Sequence, residues 1–131
     1  MDGFDYDQGF DVEEFLDESQ ELEEARLEDA LEEVNKQLER RKELHEETVC
    51  ELESKLEWYI DRLERLYKQS RGRGGRRERL KSKIEGFYED IREENLRNWR
   101  DRQELERQRR ELLQSLDEVS NSFLADRDLS L

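Results

Sequence analysis

The chain has 131 residues, 47% of them charged and 32% hydrophobic, and 38 Asp and Glu outweigh 24 Lys and Arg for a net charge of −14. So few apolar residues cannot build the thick single-chain core of most globular enzymes. One cysteine cannot make a disulfide framework within one chain, and no apolar run of about 18 residues offers a membrane span.

The charge is unevenly placed. Residues 1–33 hold 15 acidic residues and one basic residue, Arg26, which is the whole excess of −14; residues 34–131 hold 23 of each sign. A second concentration lies at residues 68–83, where Lys68, Arg71, Arg73, Arg76, Arg77, Arg79, Lys81 and Lys83 face one acid, Glu78. Arginine outnumbers lysine 18 to 6, and its planar fork suits phosphate or carboxylate. Elsewhere the arginines suit ordinary i,i+4 pairs on solvated helix faces.

Residues 1–18 alternate acids with Phe4, Tyr6, Phe10 and Phe15, followed by Leu16. Mutual repulsion opposes collapse while spaced aromatics supply anchors, the pattern of an arm that orders on a partner. A helix can begin from Val12 or Phe15 onward. The chain divides into this arm (1–18), a first long helix (19–70), a basic glycine-rich turn (71–77), a second long helix (78–124) and a frayed tail (125–131).

Along the first helix Leu27, Leu31, Val34 and Leu38 are spaced 4-3-4, and Val49, Leu52, Leu56, Tyr59, Leu63 and Leu66 are spaced 3-4-3-4-3. Such steps make one apolar stripe. Between the runs the stripe is continued through Lys42 and His45, with an extra step of four and a polar layer.

The turn SRGRGGRR has Gly72, Gly74 and Gly75. Each costs about 1 kcal/mol against Ala in a helix, so this is the strongest break in a chain without proline.

The second stripe runs Leu80, Ile84, Phe87, Ile91, then through Asn95, Asn98 and Arg102 to Leu105, Arg109, Leu112, Leu116, Val119 and Phe123. Folding the halves about the turn sets Leu63 against Ile84, Tyr59 against Tyr88 and Phe87, Leu56 against Ile91, His45 against Arg102 and Val34 against Leu112. Apolar layers meet apolar layers and polar meets polar. That agreement predicts an all-α fold, a long antiparallel helical hairpin packed as a coiled coil.

A two-helix hairpin covers one stripe per helix, and Leu44, Trp58, Ile60, Tyr67, Tyr88, Leu96 and Trp99 fall off it or beside it. Trp58, Ile60, Tyr67, Tyr88, Leu96 and Trp99 predict an oligomer surface, covered in a homodimeric four-helix bundle or by another protein subunit.

No catalytic residue, cofactor site or metal site is expected. His45 and Cys50 are five residues apart and diverge around the helix, and position 42 is Lys, so no Glu-x-x-His spacing arises. The glycines follow a helix and lack a lysine-serine or lysine-threonine ending, unlike a phosphate cradle. Cys50 is expected to be a small, partly buried hydrophobe.

These features predict a non-enzymatic scaffold or adaptor for protein assembly. The alternative is nucleic-acid binding through phosphate contacts at Lys68, Arg71, Arg73, Arg76, Arg77, Arg79, Lys81 and Lys83. In that reading the acidic arm, with Phe4, Tyr6, Phe10, Phe15 and Leu16 as its partner-binding anchors, modulates the tip. No membrane partner or small-molecule substrate is expected. With no secretory signal visible, an intracellular protein or a viral structural component is expected.

Overall fold

The computed structural model describes residues 11–69 and 74–129, with side chains described over 11–69 and 75–122. The described residues form two α-helices packed against each other and no strand: α1, Val12–Gln69, and α2, Gly74–Leu129. The connection is short, as expected for antiparallel neighbours.

α1 begins at Val12 because Asp11 supplies its cap. The Asp11 carboxylate accepts hydrogen bonds from the backbone N–H groups of Glu13 at 3.0 Å and Glu14 at 3.3 Å. These are two of the donors a helix start leaves unmatched. Glu13 and Glu14 in the first turn and Lys68 in the last also suit the helix dipole. The helix thus takes in Phe15 and Leu16 and starts before residue 19. α2 begins at Gly74, inside the glycine cluster, with no acid in its first turn. Phe4, Tyr6, Phe10, Arg71 and Arg73 lie outside the described residues.

The chain divides into two compact units, Met1–Gln37 with Leu105–Leu131, and Leu38–Glu104. In the first, Leu27 and Val34 are buried. Leu31, Leu112, Leu116 and Val119 are half-buried around them. Fully burying such a side chain contributes about 1.5–3 kcal/mol. Short-range pairs such as Arg26 with Glu23 and Lys36 with Glu32 brace the solvent face. Exposed pairs of this kind add little to stability because water screens them.

In the second unit Leu56 is the buried apolar residue. Tyr59 meets Phe87 with ring centroids 5.3 Å apart, as the pairing about the turn predicts. The register differs farther from the turn. His45 Nδ1 lies 3.7 Å from Glu94, eight residues nearer the turn than the Arg102 expected opposite it.

The stripe itself is corrected at four positions. Lys42, Asn95, Arg102 and Arg109 are exposed, while Arg41 and Glu94 are buried, Gln108 is half-buried and Asp101 takes the place of Arg102. The physical reason is the same each time. The sequence reading takes a step of four where the helix keeps a step of three, so the residue one position earlier faces inward. α2 therefore runs Phe87, Ile91, Glu94, Asn98, Asp101, Leu105, Gln108 and Leu112 in unbroken 4-3 alternation, although Asp101 reaches solvent.

Candidate interaction surfaces

The unit Leu38–Glu104 contains a buried polar layer. Arg41 and Glu94 are 9% and 8% exposed. Arg41 Nη2 donates to Glu94 Oε1 at 2.5 Å and to Oε2 at 3.2 Å. Arg41 Nε lies 2.9 Å from Asp101, and the half-buried His45 approaches Glu94 from the other side. Among the described residues Arg41 Nη1 and Asn98 Oδ1 are buried without hydrogen-bond partners. Removing either charge would strand the other, so the layer favours one register of the two helices.

Near the turn, Tyr67 organises the start of α2. The Arg77 guanidinium sits 4.2 Å from the Tyr67 ring centre, and the Lys81 ammonium lies 5.9 Å from it. Contacts of this kind contribute about 0.5–1 kcal/mol at exposed sites. The Tyr67 hydroxyl, by hydrogen bonding first and by charge second, and Glu78 beyond it, hold Lys81 above the ordinary lysine value.

Arg79 and Lys83 lie two residues either side of Lys81, about 200° around the helix, so they project away from Tyr67. Arg76 falls on the same side, giving an exposed row at 76, 79 and 83 with spacing 3-4. None of the three has an ion-pair partner among the described residues. Of the predicted basic contacts, Lys68, Arg76, Arg79, Lys81 and Lys83 are exposed and Arg77 is half-buried.

The predicted oligomer surface divides by direction. Trp58, Tyr67, Tyr88, Leu96 and Trp99 are exposed, Trp99 at 60%, and Ile60 is half-buried. Ile60 and Tyr67 are seven residues apart and share a side of α1. Trp58 is nine before Tyr67, half a turn round, and carries the Arg62 guanidinium 5.1 Å over its ring. Tyr88 and Trp99 are eleven residues apart and share a side of α2. Cys50 is a free, exposed thiol, not a partly buried one.

In the unit Met1–Gln37 with Leu105–Leu131, the acidic end of α1 carries its own apolar strip. Val12, Phe15 and Leu22 are exposed, Leu22 at 72%, at spacings of three and seven that keep them on one side. Leu16 is also exposed, and it projects along the stripe of Leu27 and Val34 rather than with Phe15. The Glu23 carboxylate accepts from Arg26 Nη2 at 2.6 Å. That hydrogen bond, and the guanidinium charge after it, hold the Glu23 carboxyl below its usual range.

Among the described residues no group of three or more His, Cys, Asp or Glu side chains is arranged to hold a metal ion, and no helix is long and apolar enough to cross a membrane.

The model of a family of unknown function, DUF8104, matches residues 1–128. The chain belongs to that family. No significant match was found among curated proteins or among solved structures. The DUF8104 match takes in the acidic segment, both helices and the basic turn, so the contrasting surfaces described above all fall within one family region.

Proposed function

We propose that this DUF8104 member is a non-enzymatic scaffold or adaptor that works by self-association. In this reading the helices pack as an antiparallel coiled coil, and two copies form a four-helix bundle. The supporting observation is the imbalance between core and surface. Among the described residues only Leu27, Val34 and Leu56 are buried apolar side chains, while Trp58, Tyr67, Tyr88, Leu96 and Trp99 are exposed. Aromatic surface at that density is ordinarily covered by another protein surface. A second copy covers one side of it on both partners at once, because a two-fold interface uses the same patch twice. The unbroken 4-3 spacing of α2 is the pattern by which helices in such bundles interlock.

The test is tryptophan emission across a dilution series. Trp58 and Trp99 are the two tryptophans of the chain. Association should shift their emission to the blue as concentration rises, and Trp58→Glu should weaken that association by about tenfold or more, the loss expected of a central aromatic anchor. Emission independent of concentration, together with an unaltered mass in Trp58→Glu, would contradict the reading.

A further inference from the structure

The self-association just proposed leaves open which surfaces two copies bring together, and the charges supply an answer that rests on that reading. Arg76, Arg79 and Lys83 form an exposed row on the side of α2 away from Tyr67, with no ion-pair partner among the described residues. A basic first turn is also unfavourable for the helix that carries it. The N-terminal end of a helix is the positive end of its dipole, and cations there are repelled by it. α1 shows the usual arrangement, with Asp11, Glu13 and Glu14 at its start. α2 shows the reverse, with no acid in its first turn. Arg76, in that first turn, therefore does not serve the stability of its own helix, and with Arg79 and Lys83 it is available to an anionic surface.

The chain carries such a surface. Residues 11–33 include 12 acidic residues and one basic residue, Arg26. Glu23 is already occupied by Arg26, and Glu32 by Lys36. Glu14, Glu18 and Glu21, at spacings of four and three, flank the exposed strip of Val12, Phe15 and Leu22 with no cation paired to them among the described residues. Charge and apolar character thus occur together on both surfaces. The acidic strip has Phe15 and Leu22, and the second unit offers the exposed Trp58.

We propose that the acidic strip of one copy, Glu14, Glu18 and Glu21 with Phe15 and Leu22, docks on the Arg76, Arg79 and Lys83 row of a second copy. The contact is reciprocal, so that each copy gives its acidic strip and receives its partner's. Docking strip on strip or row on row would set like charges together, which costs association free energy. A second copy fits the row better than a nucleic acid does. Every copy brings the complementary acids in equal number, whereas a polyanion would be repelled by the excess of −14 in residues 1–33.

The test is a charge swap on the full chain, read by sedimentation velocity and far-UV circular dichroism. Variant one is Arg76→Glu, Arg79→Glu and Lys83→Glu. Variant two is Glu14→Lys, Glu18→Lys and Glu21→Lys. Each alone should dissociate about tenfold or more readily than the unaltered protein, because each pairs like charges. An equimolar mixture should recover association, because each strip then meets a row of opposite sign. Recovery in the mixture also shows that both variants fold.

Variants that associate as the unaltered protein does would overturn the proposal while leaving self-association intact. A monomeric unaltered protein would overturn both. The added probe is a short DNA duplex at about 50 mM salt, where phosphate contacts are strong. Duplex binding lost in variant one, with no change in the sedimentation of the protein alone, would assign the row to a polyanion and overturn the proposal.

Discussion

Arg41 and Glu94 meet within the unit Leu38–Glu104 at 2.5 Å, each about nine-tenths buried. Such a pair holds register more than it adds stability, because both charges have been taken out of water. Glu94→Ala should therefore cost about 3–5 kcal/mol in urea unfolding at fixed protein concentration, since Arg41 is left buried and unpaired. The double change Arg41→Met with Glu94→Leu should be neutral or stabilising by about 1–4 kcal/mol. A Glu94→Ala variant within about 1 kcal/mol of the unaltered protein would mean that water reaches the layer freely.

Gly86 sits inside α2 where a side chain is tolerated. A Cβ added there would meet no heavy atom within 4 Å. Glycine in a helix interior loses more backbone freedom on folding than alanine does. Gly86→Ala should raise stability by about 0.5–1 kcal/mol, seen as a higher urea midpoint with an unchanged slope. A lower midpoint would show that the glycine serves a contact with a partner.

Asp11 fixes where α1 begins. Asp11→Ala removes the acceptor for the Glu13 and Glu14 N–H groups and should cost about 1 kcal/mol, with loss of amide protection in the first turn. Asp11→Asn, which can still accept, should lose less. Equal protection in the alanine variant would show that the start of α1 is held by something other than this cap.

Lys81 gives the chain a pH dependence on the alkaline side. Folding raises its value above the ordinary 10.5, chiefly through the Tyr67 hydroxyl and then through Glu78. A raised value means that the contribution is complete below 10.5 and is lost as pH rises through the folded value. Neutral pH should show nothing. Carbon-detected titration of the Lys81 side chain should give a value above that of the exposed lysines, and Tyr67→Phe should lower it. An unmoved Lys81 in Tyr67→Phe would place the cause elsewhere.

Apolar spacing and the glycine cluster made the two helices and the break between them legible, because both signals are local. Tyr59 against Phe87 was legible too, being close to the turn where a register error has little room to grow. The polar layer was not. Leu27, Val34 and Arg41 are seven apart in succession, and continuing that repeat would have found Arg41. Arg41 and Lys42 are both charged and carry no hydrophobic signal, however, so residue type does not choose between a step of three and a step of four there. Glu94 and Asn95 are both polar and leave the same ambiguity. The row at 76, 79 and 83 needed the structure, since only the contacts of Arg77 and Lys81 with Tyr67 show which basic residues turn away. Cys50 was expected to be partly buried and is exposed, because the stripe passes through Val49 and leaves its neighbour outside.

Whether a second copy covers the exposed aromatic surface is read from light scattering on the eluting full chain, loaded at tens of micromolar. Self-association should give a mass near twice 16.1 kDa. A mass of 16.1 kDa that holds across the concentration range would contradict it.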